Sequence, residues 1–262
     1  MQAQPGSSES LACPHTADAQ VTKQIRVLSP RFRARMAGVF EALEGTGSSV
    51  GQVFILSGLI VEGSASATAA NILANAPLIW LGFAISLLAV VFHLVWAFLF
   101  YGLFKPVNRS ISLLATYVIV VGCAIQAVTC LLYLAPLLTL QNASILSAFT
   151  PQQVQDLSFV FLKLNGQAFD TYLIFFGLWC VLIGYLIFRS TFLPRIIGVL
   201  LMIDGLGWML YLVPPFAQQV FPLIAVAAGL AEIPLMLWLL VVGLNEQRWK
   251  EQEAAARASR RK

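Results

Sequence analysis

Charge is what this chain has least of. Only 11% of its 262 residues are Asp, Glu, Lys or Arg, while 59% are hydrophobic and the mean hydropathy is +0.82. A soluble domain carries roughly a quarter charged residues, so a soluble globular enzyme, a disordered tail and a fibrous protein are all excluded. Histidine is scarce, at two residues, and the four cysteines form no CxxC pair. With no HExxH either, no metal site and no cofactor are expected. There is no Walker loop, no GxSxG and no GxGxxG after a strand, which excludes ATP-driven work by this chain alone. Nor is there a ten-residue alternation of apolar and polar residues, so a membrane β-barrel is excluded.

Three cysteines (Cys123, Cys130, Cys180) lie inside apolar runs. Cys123 and Cys130 are seven apart, so they share a helix face and cannot be bridged within one straight helix. They read as buried structural thiols. No apolar stretch precedes Cys13, so neither a lipoprotein cysteine nor a cleavable signal is expected. The formal net charge of +4 comes from short basic clusters between apolar runs rather than from one patch. Nucleic acid is therefore not an expected partner; the lipid bilayer is.

What is present is a succession of apolar runs, each near or above the ~20 residues needed to cross the hydrocarbon core as a helix. Six spans are expected, at about 36–61, 77–104, 111–140, 168–188, 195–213 and 220–243. The first is the weakest, interrupted by Glu41, Glu44 and the stretch GTGSSVGQ. Thr150-Pro151-Gln152-Gln153 has the spacing of a capped helix start, predicting a short helix from 151 to about 164 ahead of the fourth span. A Gly/Ser/Ala-rich piece, 63–71, fills the first outer loop. The expected class is an all-α polytopic integral membrane helix bundle of about six spans.

Fifteen of the sixteen Lys and Arg fall on one side if both termini are cytoplasmic, Lys163 being the exception. That bias sets the orientation. The expected organisation is a disordered tail over 1–20, a basic amphipathic flank over 21–35 broken by Pro30, a six-helix membrane domain over 36–245 and a basic tail over 246–262. The flank has the pattern of a segment that lies on an anionic leaflet.

An ionisable side chain at the centre of a membrane helix costs about 2.5–3.5 kcal/mol on insertion scales. This chain carries several. Asp204 lies nine residues past Arg195 and Glu44 nine past Arg35, roughly 14 Å at the helical rise. Glu232 and His93 lie 11 and 12 residues from Gly243 and Lys105, roughly 17 Å. Four ionisable groups from four helices therefore share one depth, and no Lys or Arg shares it. Crowded carboxyls in low dielectric cannot all ionise, so at least one is expected to hold its proton. Asp204 and Glu232 are the candidate acids for catalysis; Glu41, Glu44, His93, Gln126, Trp208 and Tyr211 are candidate binding residues. Thr129 and Tyr133 share a helix face with Gln126. Interhelical hydrogen bonding that only fixes packing is the competing role. Asp170, at the expected start of the fourth span, reads as a helix-capping anion. Ala225 and Gly229, four apart, read as a close-packing seam of the last span.

The runs FYGLFKPVNRSISLLA (100–115) and GYLIFRSTFLPRIIGVLLMIDGLGW (184–208), supported by ATAANI (67–72), FFGLWC (175–180) and AEIPLMLWLLVVGLN (231–245), carry a resemblance. Over about residues 34–246 the chain resembles the bacterial membrane proteins grouped as domain of unknown function family 4386. The resemblance implies about six helices, a bacterial inner membrane and no settled activity. Glu232 and the loop from Phe188 to Arg195 match the family pattern. Ser66 stands where the family has an acid and Asn165 where it has a histidine, while Glu41, Glu44 and Asp204 fall at positions that are mostly apolar or small. The acidic cluster is then a feature of this chain more than of the family.

Three functions fit. The first is a midplane cavity, lined by Glu44, His93, Asp204 and Glu232, that takes up a proton or a cationic or amphiphilic small molecule. The second is an intramembrane enzyme that uses a protonated Asp204 or Glu232 on a lipid or isoprenoid, with Trp208 and Tyr211 facing a cationic intermediate. The third is an accessory subunit whose polar residues only pack. Substrate and oligomeric state are not legible.

Overall fold

The computed structural model describes residues 29–142 and 144–259. The expected tail 1–20 and the expected flank up to Leu28 lie outside the described residues. The described chain is all helical and without strands. Helix α1 (Pro30–Ser48) runs on through a π-helical stretch (Ser49–Leu56) and a last turn (Ser57–Leu59). Then follow α2 (Ala65–Ala74), α3 (Ala76–Phe104), α4 (Arg109–Gln141) and α5 (Pro151–Arg189). α6 (Arg195–Met209) ends in a 3-10 turn (Leu210–Leu212), and α7 (Pro214–Gln219), α8 (Phe221–Val241) and α9 (Glu246–Ser259) complete the chain.

Among the described residues five helices are long and apolar enough to cross a membrane: α3, α4, α5, α8 and α6 with its 3-10 turn. The run from Pro30 to Leu59, roughly 45 Å long, lies alongside them between α3 and α8. The charged residues of Pro30–Ser48 keep that helix less apolar than the others, and the π-helical stretch that follows is apolar. The helices close into a ring, because each packs on the next in sequence and α8 returns to α1. Arg31 Nε and Arg35 Nη2 fasten that closure, donating to Val242 O at 3.2 Å and Val241 O at 3.1 Å at the end of α8. Cations there also face the negative end of the helix dipole. Gly243, at φ +75°, supplies the left-handed residue that ends α8.

Several boundaries differ from expectation. Pro30 begins α1 rather than breaking a segment, with Ser29 Oγ capping Phe32 N at 3.2 Å; a proline's missing N–H is harmless at that position. The capping box at Thr150 and Gln153 is present, yet the helix it starts does not stop near 164. α5 continues for 39 residues, roughly 58 Å, so it projects well beyond one side of the bilayer. Asp170 is consequently in mid-helix and half-buried, and it caps nothing. Part of the 63–71 piece is helical in α2, held by Thr68 Oγ1 to Val61 O at 3.2 Å and by Asn71 Nδ2 to Leu59 O at 3.2 Å. Over 246–259 the expected tail is α9, docked by Trp249 Nε1 donating to Leu103 O at 2.9 Å.

The close-packing seam is also elsewhere. Nothing lies within 4 Å of a Cβ built on Gly229, and Ala225 is exposed. The tight approach is between α5 and α6, where Gly184 and Gly198 face each other's carbonyl oxygens, 2.6 Å from either notional Cβ. Gly177 and Gly205 repeat the contact one heptad away.

Candidate functional site

The ring's interior is filled by side chains from opposite helices. Trp96 and Phe100 of α3 meet Trp179 of α5 at centroid distances of 4.6 and 5.7 Å. Phe104 and Phe192 extend the stack towards the basic end of the bundle. Polar groups occupy the level above. His93, wholly buried, stands at the boundary, with Trp96, Tyr172, Phe176 and Trp179 around its ring.

Two groups of acids meet there. In the first, Glu44 Oε1 lies 3.5 Å from His93 Nδ1 and accepts from Ser48 Oγ at 3.0 Å. Gln126 Nε2 reaches the same oxygen at 3.5 Å and Ser48 Oγ at 3.0 Å. Helices α1, α3 and α4 are thus joined through one carboxylate. Tyr172 Oη, from α5, is 3.3 Å from the same His93 nitrogen. With its proton on Nδ1, His93 serves Glu44; without it, Tyr172 can donate to the bare nitrogen. Proton position and Tyr172 orientation are therefore linked.

In the second group, Trp208 Nε1 donates to Glu232 Oε1 at 3.2 Å, and Asp204 lies beside Glu232, Trp208 and Cys180. Neither Asp204 oxygen has a hydrogen-bond partner of acceptable geometry, although the residue is 0% exposed. Glu41 links the groups, within electrostatic reach of both Glu44 and Glu232, and both its oxygens are also buried without partners. Among the described residues no Lys or Arg bonds to any of the four acids. No set of three or more His, Cys, Asp or Glu among the described residues is placed to hold a metal ion.

Of the eight residues singled out from sequence, six fall into these two groups and Glu41 lies between them; Tyr211 joins through a 6.3 Å stack on Trp208. Thr129 and Tyr133 lie further from the basic end. The Thr129 carbonyl accepts from Asn165 Nδ2 at 2.9 Å, and Tyr133 Oη donates to Gly51 O in the π-helical stretch at 3.2 Å. Tyr133 needs the space opposite Gly82, where a Cβ would collide with its hydroxyl. None of the eight residues lines either of two surface cavities at the basic end. Sequence reading missed Ser48, Tyr172 and Cys180. A four-residue step from Glu44 could have found Ser48, but nothing in sequence marked the other two.

The arrangement has a direction. From the acids towards the basic end the interior is aromatic. Towards the opposite end it offers Ser48, Ser86, Gln126, Asn165 and Tyr133, with Asp170 close enough to Tyr211 to act on it electrostatically.

A ring of apolar helices around a buried acidic centre defines a polytopic α-helical membrane protein. Over residues 36–243 the chain matches the model of the family described as Domain of unknown function (DUF4386), and it belongs to that family. No curated protein and no solved structure matches it.

Proposed function

We propose that this protein binds protons at its buried acidic centre and relays them from the side opposite its basic end. The reading sets it in the inner membrane of a bacterium with both termini cytoplasmic. The orientation rests on the Lys and Arg bias and the bacterial membrane on the family resemblance. The observation that carries the proposal is the state of Asp204 and Glu41: buried carboxyls whose oxygens have no hydrogen-bond partner of acceptable geometry among the described residues, beside two more carboxyls and a single imidazole.

An uncompensated buried carboxylate costs far more than a typical interhelical hydrogen bond supplies, about 0.6 kcal/mol on average. Packing alone therefore gives no reason for acids here. A proton shared between Asp204 and Glu232 satisfies both with one hydrogen bond, and a second can rest on Glu44 or His93. The site is side-chain-filled, which suits a proton better than the cationic or amphiphilic small molecule that an open cavity would hold. The aromatic stack of Trp96, Phe100 and Trp179 then works as a barrier, so transfer towards the basic end needs its rearrangement.

The test is reconstitution of wild type and Asp204→Asn/Glu232→Gln, each first checked for a normal melt. Infrared difference spectra across a pH jump are expected to contain a protonated-carboxyl band that the double variant loses. Dye-loaded liposomes under a potassium diffusion potential are expected to take up protons at least tenfold faster with wild type. No titrating carboxyl band, and uptake equal to empty liposomes, would reject the proposal.

One observation favours a second reading. Glu232 and Trp208 are only half-buried, and Tyr211 adds an aromatic face, so an acid-catalysed step on an apolar substrate has a point of entry between α6 and α8. A lipid product that accumulates without any gradient and vanishes in the double variant would select it.

A further inference from the structure

We infer that the cavity between α1, α3 and α9 at the basic end is a binding site for the phosphate headgroup of an anionic phospholipid. It is separate from the acidic centre and independent of the proposed function. The cavity is about 740 Å³ and its lining includes Arg33, Lys105, Lys250 and Arg257, with Glu253 as the one acid. Two of those cations are already neutralised: Arg257 pairs with Glu253 at 2.8 Å and Lys250 with Glu246 at 2.9 Å. Arg33 and Lys105 have no acidic partner among the described residues.

Both unpaired cations address the same stretch of α3. Arg33 Nη1 lies 3.8 Å from the position of a Cβ on Gly102, so its guanidinium rests where that glycine leaves the helix surface bare. Lys105, one turn further, holds its ammonium 5.8 Å from the Tyr101 ring. Trp249, bonded to Leu103 O at 2.9 Å, fixes α9 as the far wall.

The remaining wall is apolar, and it continues out of the cavity. Phe98 lines it and is 70% exposed, and Leu94 and Val91 extend the same exposed apolar surface along α3 towards the membrane centre. A ligand that fits must be anionic at one end and hydrocarbon at the other, with the junction at the end of a spanning helix. An anionic phospholipid has that form, and basic pockets at this depth are a recurring way of holding one. A soluble phosphate compound would leave the Phe98 wall uncovered.

Native mass spectrometry of the full-length chain, taken from micelles doped with equal phosphatidylglycerol and phosphatidylcholine, tests the site. Wild type is expected to retain phosphatidylglycerol preferentially. Arg33→Gln/Lys105→Gln is expected to weaken retention roughly 30-fold, two cations at about 1 kcal/mol each near an anionic surface. Arg189→Gln/Arg195→Gln, an equal loss of charge at the same end, is expected to leave it unchanged. Gly102→Leu keeps every charge and pushes a side chain into the cavity from a position where only the Arg33 side chain is near; it too is expected to weaken retention, and it serves should the double variant fold poorly. Equal retention of both lipids by wild type would overturn the inference. So would equal losses in the two double variants, retention undiminished in Gly102→Leu, or displacement of the lipid by inorganic phosphate at matching concentration.

Discussion

Substituting Ala at Gly177 or Gly205 probes the contact that positions half of the acidic centre. A Cβ on Gly177 would stand 2.5 Å from Gly205 O, 2.9 Å from Trp208 Cβ and 3.0 Å from Met209 N, whereas ordinary contact begins at 3.4 Å. Two of those three atoms are backbone, so no rotamer change relieves the clash and α6 must move away from α5. Overpacking of this kind costs about 1–3 kcal/mol per site. The movement carries Trp208 with it and stretches its 3.2 Å bond to Glu232. Gly205→Ala meets the same geometry from the other side, with Val181 N at 2.8 Å. Once either variant has parted the helices the second methyl meets less resistance, so the double variant should fall short of additivity by at least ~0.5 kcal/mol. Gly229→Ala, with nothing within 4 Å, is the control and should be neutral or slightly stabilising, since Ala exceeds Gly in helix propensity by about 1 kcal/mol. Equilibrium unfolding in mixed micelles measures all four. If Gly177→Ala and Gly205→Ala unfold at the same denaturant concentration as Gly229→Ala, the close α5–α6 approach is wrong, and so is the placement of Trp208 and Asp204.

Four further outcomes are expected. Asp204→Asn should change stability by less than ~1 kcal/mol, because the amide keeps the carboxyl's shape and an oxygen that can still accept, and an interhelical hydrogen bond averages only about 0.6 kcal/mol; a loss of 3 kcal/mol on the same unfolding curve would mean that Asp204 holds the packing together. Tyr133→Phe removes the bond to Gly51 O and should cost roughly 0.5–1.5 kcal/mol, with an unchanged melting temperature counting against the π-helical contact. Trp179→Ala takes away the centre of the aromatic stack and should raise passive proton leak through liposomes about tenfold, whereas a leak equal to wild type would show that the stack is no barrier. Cys123, Cys130 and Cys180 are buried thiols, so maleimide should modify them only after unfolding; rapid labelling of the native protein at any of the three would contradict their burial.

The helical spans were legible because the bilayer leaves a one-dimensional record: apolar runs of sufficient length, punctuated by basic clusters, mark the spans without any knowledge of contacts. Depth was legible for the same reason, since a fixed rise per residue converts distance from a flanking Arg or Lys into position across the membrane. That is how Glu44, His93, Asp204 and Glu232 could be set at one level. Azimuth was not legible. Apolar residues face lipid as readily as they face neighbours, so no hydrophobic stripe marks which side of a helix looks inward. The glycine seam illustrates the difficulty: Gly229 and Gly184 look alike in sequence, and only the second has a helix against it. Asp170 was misread because length gives no sign of where a spanning helix ends beyond the bilayer, and the 39 residues of α5 join two segments that composition divides.

The same limit hides from sequence how side chains from opposite helices meet in the interior. Counting polar residues at one depth cannot register that large rings from α3 and α5 occupy the middle of the ring. Once those rings are in position the two ends of the interior differ: Trp96, Phe100 and Phe104 below His93, hydroxyl and amide groups above it. Helical spacing alone contains half of this, since residues 93, 96, 100 and 104 follow one face of α3. The other half depends on Trp179 crossing the ring to meet them, a contact between helices that are not neighbours in sequence. In the proposed relay, a barrier made of two such helices would open by a small relative rotation of either. Glu44 of α1 and Tyr172 of α5 approach the same nitrogen of His93 on α3, so in that relay the protonation of the centre would bear on the packing of the α3–α5 stack.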